Sequence, residues 1–253
     1  MKKLLIAIPA YGQSEYLNET LRTLAENNAK DVEEFVETTV LVIDDGTPEG
    51  LAVDVPHKSE RWHQALIRLK DNGGVTKAWN LAIEFGMRKL DADYVMICNS
   101  DVHFGPNVLK ACMQAIDVDG HYAVFPQTYA HKDQNGNARY GGALPQDFDK
   151  ASTGAASNLL NVVVTGGVAG WCFMLSKECL DKVGWFDPRF VLWYGDTDYL
   201  NRLSAAGKLP GEVRNCLIHH YESRTIVSMD GGFGCNGWIG KDKELFFRKY
   251  PKT

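Results

Sequence analysis

Three short apolar runs, each stopped by a polar cluster, constrain this chain more than any other feature. Residues 3–8, 40–43 and 94–98 are mostly aliphatic and do not alternate. They end on Pro9-Ala10-Tyr11, Asp44-Asp45-Gly46 and Asn99-Ser100-Asp101. Runs that are apolar on both sides suit strands covered on both faces. Between them the period becomes helical: Leu17, Leu21 and Leu24 follow Ser14 as a candidate cap, and Trp79, Ala82, Ile83 and Met87 mark a helix over 75–90. Residues 66–69 are a weaker strand candidate, and Pro106 suits the first turn of a helix carrying Val108, Leu109, Cys112 and Ile116. This β-α-β-α order predicts an α/β sheet with helices on both faces. Ligands of such sheets bind beyond the carboxyl ends of the strands, so the fold is expected to gather the three polar clusters.

Composition narrows the class further. With 45% hydrophobic and 23% charged residues the chain is neither collagen-like nor disordered, and 253 residues suffice for one large domain or two small ones. A net charge of −5 gives no general attraction to nucleic acid or anionic membrane. The six cysteines form no CxxC pair and read as reduced, buried thiols. Met1-Lys2-Lys3 and the apolar run behind it are too short for a signal peptide, and no apolar stretch approaches the roughly 20 residues of a bilayer span. The expected location is cytoplasmic, with the locally basic tail over 241–250 as the element suited to peripheral membrane contact.

The second half is less regular. Residues 127–160 are rich in Gly, Asn, Asp, Ser and Ala and read as a long loop. Apolar segments over 162–164 and 171–175 flank Thr165-Gly166-Gly167-Val168-Ala169-Gly170; a short helix is expected over 176–183, another near Asp196, and a third over 241–250. Neither an internal repeat nor a domain-separating linker is evident.

Several chemistries can be set aside. There is no GxxxxGK[ST], no GxGxxG after the first strand, no HExxH and no GxSxG. Adjacent His219 and His220 on an extended segment face opposite ways, so one of them at most suits a shared site. Asn99-Ser100-Asp101 offers a carboxylate and an amide to a hard divalent cation, although the same tripeptide also suits a turn.

One ordered series of motifs carries a resemblance. Ile8-Pro9-Ala10-Tyr11, Val42 to Thr47 with Asp44-Asp45, Asn72 to Asn80, Asn99-Ser100-Asp101-Val102, Val183 to Asp187, and Tyr194-Gly195-Asp196-Thr197-Asp198 with Arg202 and Gly207 follow one another over about residues 3–225. In this order and spacing the chain resembles the inverting family 2 glycosyltransferases of the GT-A fold, in particular their rhamnosyltransferase-like branch. The resemblance implies a mixed, mostly parallel central sheet flanked by helices. It also implies transfer of a hexose-type sugar from a nucleotide-sugar donor (UDP-, dTDP- or GDP-linked) to an acceptor hydroxyl, by single displacement with a divalent cation, Mn²⁺ or Mg²⁺.

The implied roles run residue by residue. Pro9, Ala10 and Tyr11 flank the donor's nucleotide, Tyr11 against the base or as a plain turn tyrosine. Asp45 and Asp44 lie near base and ribose, with a turn cap as the other reading of Asp44. Asn72, Gly74 and Lys77 lie beneath the donor, Lys77 facing a phosphate or only solvent. Asn99 and Ser100 touch ribose or water, and Asp101 binds the metal in a DxD-like motif whose first Asp is here Asn. His220 faces metal and diphosphate, with His219 or a structural histidine as alternatives. Asp196 is the general base, Gly195 standing where the family has Glu. Gly166, Gly167 and Trp171 shape the acceptor and sugar pocket, or Trp171 is core. Asp198 and Arg202 read as a structural pair.

The organisation expected is one domain over 1–253, with a donor-binding half at 1–125 and an acceptor-binding, catalytic half at 126–253. This length leaves little chain for an anchor or accessory domain. The two substitutions, Asn99 and Gly195, motivate a rival: a module that binds sugar nucleotide without turnover. A nucleotidyltransferase is a weaker rival, because the loop after the first strand carries no positive charge.

Overall fold

The computed structural model describes residues 1–132, 138–166, 170–222 and 237–251. In chain order the strands and helices are β1 (Lys2–Ala10), α1 (Ser14–Val32), β2 (Val36–Asp44), β3 (Trp62–Arg68), α2 (Val75–Phe85), β4 (Tyr94–Cys98), β5 (Val102–Phe104), α3 (Val108–Asp119) and β6 (Ala123–Thr128). Then come β7 (His131–Lys132), β8 (Ala138–Arg139), α4 (Phe148–Ala156), β9 (Val162–Val164), β10 (Cys172–Ser176), α5 (Lys177–Val183), α6 (Gly195–Ala205), β11 (Gly211–His220) and α7 (Trp238–Lys249).

The main sheet has the order β3-β2-β1-β4-β10-β6-β11-β5, with β9 on β11. Pairings make β1, β2, β3, β4, β6 and β11 run one way and β5, β9 and β10 the other, so the sheet is mixed and mostly parallel. Successive side chains of β1 serve opposite faces. Leu4, Ile6 and Ile8 meet Leu17, Leu21 and Leu24 of α1 and Leu109 and Cys112 of α3. Leu5 and Ala7 meet Ala78, Ala82 and Ile83 of α2, together with residues of α5 and α6. Full burial of each such aliphatic chain contributes about 1.5–3 kcal/mol, which explains why the runs that looked two-faced form the centre.

Three expectations need correction, and most of one strand went unread in the sequence. Ser14 does not cap α1: Gln13 stands at the cap in a left-handed conformation, and the Ser14 hydroxyl accepts from the Ala52 N–H at 3.1 Å. The helix over 75–90 is α-helical to Phe85 and closes as a wide π-turn over Gly86–Leu90. Residues 127–160 are not one loop, because α4 lies within them. Its small residues give little helical signal, and Phe148 is the side chain that buries it, edge-on to His103 and Tyr129. β11 runs from Gly211 through the extended segment of His219 and His220. Buried Asn215, His219 and His220 interrupt its apolar pattern, and its register on β6 shifts between Val213 and Leu217.

Cys98, Cys112, Cys172, Cys179 and Cys216 are buried free thiols; Cys235 lies outside the described residues. No helix among the described residues is long and apolar enough to cross a membrane.

Candidate active site

The carboxyl ends of β1, β2 and β4, the loop before β10, the start of α6 and the end of β11 converge on a cleft of about 320 Å³. Of the residues singled out by sequence, Pro9, Ala10, Tyr11, Asp45, Asn72, Gly74, Asn99, Ser100, Asp101, Trp171, Asp196 and His220 line it. Asp44, Lys77 and Gly166 are not among its lining residues, and Gly167 lies outside the described residues.

The adjacent carboxylates at the end of β2 part company, as successive residues of a strand do. Asp44 is fully buried: its oxygens accept from the Thr47 N–H at 2.9 Å and the Leu51 N–H at 3.2 Å, and Arg68 Nε pairs with it at 2.9 Å. It therefore holds the turn that follows β2. Asp45 faces the cleft, where Gly73 and Gly74 donate their N–H groups to its two oxygens at 2.9 and 3.0 Å. Burial pushes its carboxyl up to about 6, against the lowering effect of those two donors and of the Lys77 charge. Lys77 is exposed and folds over Gly73, where a Cβ would come within 2.5 Å of its Cδ.

On the opposite wall, His220 Nε2 lies 3.1 Å from Asp101 Oδ1 and 3.4 Å from Asn99 Nδ2. The imidazole stacks on Trp171, ring centres 5.0 Å apart and 8° from parallel. The Trp171 indole N–H donates to Thr128 Oγ1 at 3.0 Å, and the Asn99 N–H donates to the Trp171 carbonyl at 2.8 Å, fastening the end of β4 to the entry of β10. Strand alternation turns His219 the other way, with Nε2 3.1 Å from the Gly142 carbonyl. Asp101 and His220 thus stand side by side at hydrogen-bond distance in the lining of the cleft. Among the described residues no group of three or more His, Cys, Asp or Glu side chains could hold a metal. Two protein donors fit a divalent cation whose remaining positions go to phosphate oxygens.

Asp196 sits in the first turn of α6, where the Thr197 N–H donates to Oδ1 at 2.7 Å. Burial nevertheless raises its carboxyl above the usual range. Two glycines define its surroundings. A Cβ on Gly170 would overlap Asp196 Oδ2, so only glycine fits there while the carboxylate keeps its place. A Cβ on Gly195 would lie 2.8 Å from Thr76 Oγ1, so α2 fills the space where the family's Glu side chain would begin. Deeper in α6, the fully buried Asp198 accepts from Arg202 Nε at 3.0 Å, and Arg202 also donates to the Val183 and Trp185 carbonyls.

Sequence reasoning missed several lining residues: Gly170, Leu192, Trp193, Glu222 and Trp238. Trp193, directly before the Tyr194-Gly195-Asp196 motif and partly exposed, carried a usable signal; the remainder depend on tertiary contact. A second cavity, about 520 Å³, shares Trp171 with the first and is otherwise lined mainly by Phe125, Gln127, Tyr129, Tyr140, Thr165 and Glu212.

Comparison with known proteins bears on the fold and the family. The chain is 24% identical over 247 residues to chondroitin synthase of Escherichia coli, covering 86% of this chain and 34% of that protein, so it spans about a third of the length of that relative. GalNAc-T7 with UDP, GalNAc and Mn²⁺ superposes with a TM-score of 0.59 at 13% identity, covering 87% of this chain and 44% of the other. S. aureus TarS 1-349 in complex with UDP-GlcNAc gives 0.55 at 16% identity, covering 85% and 56%. The fold is that of the GT-A glycosyltransferases. Residues 5–184 match the profile of Glycosyl transferase family 2, and the chain belongs to that family of glycosyltransferases.

Proposed function

We propose that this glycosyltransferase moves a sugar from a UDP-linked donor to an acceptor hydroxyl with inversion, and that Asp196 is its general base. One observation carries the reading: Asp45, the Asp101–His220 pair and Asp196, from four distant stretches of chain, face a single cleft at the carboxyl edge of the sheet. UDP is favoured among nucleotide donors because the similar structures of GalNAc-T7 and TarS hold UDP or UDP-GlcNAc.

In this reading Tyr11 packs on the base, and Asp45 accepts from base or ribose with the lone pairs that Gly73 and Gly74 leave free. Asn99 and Ser100 hold the ribose, and Lys77 meets a phosphate. Asp44 serves the turn and makes no donor contact. Asp101 and His220 are the residues that would hold Mn²⁺ or Mg²⁺, which when bound neutralises charge on the diphosphate. Asp196 takes the proton of the acceptor hydroxyl as its oxygen attacks the anomeric carbon. The bond from that carbon to the diphosphate oxygen breaks on the opposite face, so one displacement inverts the centre. A raised pKa suits this task, since a base poised nearer neutrality takes a proton more readily. Trp171 and the second cavity, which it also lines, receive the acceptor.

The test is a thermal-shift screen of UDP-, dTDP- and GDP-linked sugars with Mn²⁺ or Mg²⁺, followed by transfer assays and NMR of the product anomer. A ligand at 100 times its Kd stabilises the native state by about 2.7 kcal/mol, which such a screen resolves. Stabilisation by a UDP-sugar and an inverted product are expected. Retained configuration would overturn the mechanism, and binding without turnover would leave the sugar-nucleotide module as the reading.

A further inference from the structure

The segment that delivers Asp196 is held from outside by the terminal helix. Val191, Leu192 and Trp193 donate three consecutive N–H groups to one side chain, Asp242 of α7: 3.0 Å to Oδ1 from Val191, and 2.8 and 2.9 Å to Oδ2 from Leu192 and Trp193. Successive N–H groups of this kind make a concave anion site, here filled by the chain's own carboxylate, which is 1% exposed. Hydrogen bonds to an ionised acceptor are about twice as strong as neutral ones, and Asp242 accepts three where a neutral amide of the same size offers a single oxygen.

The rest of α7 grips the same segment. Phe246 stacks on Tyr194 at 4.8 Å, which is notable because Tyr194 has a left-handed backbone (φ 65°) and makes the bend into α6. Lys249 bridges Asp187 at 2.9 Å and Asp198 at 2.5 Å, and the Tyr250 hydroxyl donates to Asp198 at 3.0 Å. Among the described residues the hydrogen-bond donors to the Asp196 carboxylate are local, chiefly the Thr197 N–H and hydroxyl, and it abuts Gly170, so the backbone leading into α6 sets where its carboxylate lies. Leu192, Trp193 and Tyr194 line the cleft, so the same clamp sets that wall too.

We infer that Asp242 is a positioning residue for glycosyl transfer: it fixes the 191–194 backbone and, through it, the approach of Asp196 to the acceptor hydroxyl. This inference rests on reading Asp196 as the base. It also gives the tail a task within the molecule: Asp242 and Phe246 contact 191–194, while Lys249 and Tyr250 hold Asp198.

The test compares Asp242→Asn and Asp242→Ala with the full chain, using the UDP-sugar found by the screen above. Hydrogen exchange should quicken at the amides of 191–193 while the strands of the sheet keep their protection. In the folded variants kcat should fall about 10²-fold, the cost of a displacement near 1 Å, with KM for the donor unchanged. Added formate or acetate should restore part of kcat to Asp242→Ala and none to Asp242→Asn, whose amide occupies the nest.

Two results would overturn the inference: wild-type kcat in folded Asp242→Asn, or a loss of kcat that vanishes once the assay is cooled to where the variant is fully folded. The base reading fails separately. If Asp196→Asn remained active while Asp242→Asn lost kcat, Asp196 would fall as the base and the clamp would act through Leu192, Trp193 and Tyr194.

Discussion

Gly170 and the Asp196 carboxylate are in direct contact, with no room for a Cβ between them. A residue six positions into a glycine-rich segment and the first turn of a helix thus share one small space, and the shape of each depends on the other. Replacing Gly170 by Ala should turn the carboxylate out of its place and lower kcat about 10²-fold, the scale of a 1 Å misplacement. Steady-state kinetics with the donor at saturation would show it, with donor KM preserved. Unaltered kcat would mean that the contact does not matter to transfer.

Asp196→Asn should lower transfer by about 10²–10⁴-fold, the usual contribution of a general base, without weakening donor binding. It should also stabilise the protein. Burial raises this carboxyl above its unfolded value, so its share of stability is present while it is protonated and is lost as pH rises through the raised pKa. The variant's gain in Tm over the wild type should therefore grow from acid to neutral pH. In the wild type kcat should fall as pH drops through the same raised value, because a base must be ionised to accept a proton.

Asp45 gives a second pH dependence of separate origin. With its carboxyl at about 6, the ionised form dominates above that value and the protonated form below it. Calorimetric titration of the donor should show affinity falling as pH is lowered through that value, since a protonated carboxyl gives up acceptor capacity. The stability contribution runs the other way: it is full below the unfolded carboxylate range and lost as pH rises through about 6. A Kd that ignores pH across this window would remove Asp45 from the donor contacts.

Chelation tests Asp101 as a metal ligand. EDTA should suppress transfer, and Mn²⁺ should restore it to the wild type and not to Asp101→Asn. Full activity in EDTA would show that Asn99, in place of the family's first Asp, accompanies a metal-independent site.

The strands that read plainly from sequence are those whose central residues bury only apolar side chains. β1, β2 and β4 are covered on both faces by α1, α2 and α3, so their runs are unbroken. Most of β11 was illegible because its polar residues are themselves buried: Asn215 at 3%, His219 at 0% and His220 at 7% exposed. Periodicity cannot distinguish a buried polar partner from a solvent-facing one. At the site the residue types were visible and their directions were not. Nothing in Asp44-Asp45 says which carboxylate turns inward; that follows from Arg68 and the Thr47 and Leu51 amides. The choice of His220 over His219 at the cleft likewise follows from the register of β11 on β5, where His219 pairs with His103 and His220 with Val102. Gly195 stands where the resemblance puts Glu, and the 2.8 Å approach of Thr76 Oγ1 to a Cβ there belongs to the tertiary packing of α2, which the sequence does not display.

The reversed strand β10 has one more consequence. Parallel strands present their exits at the carboxyl edge, but β10 runs against β4 and β6 and presents its entrance there, bringing Gly170 and Trp171. The two sides of the cleft are therefore built by connections that differ in direction and lie far apart along the chain. Loops leaving β1, β2 and β4 build one side, while the loop entering β10 contributes to the other. A loop can change length without disturbing the strands that bear it, so the side that the entry to β10 builds is a replaceable front on a fixed frame.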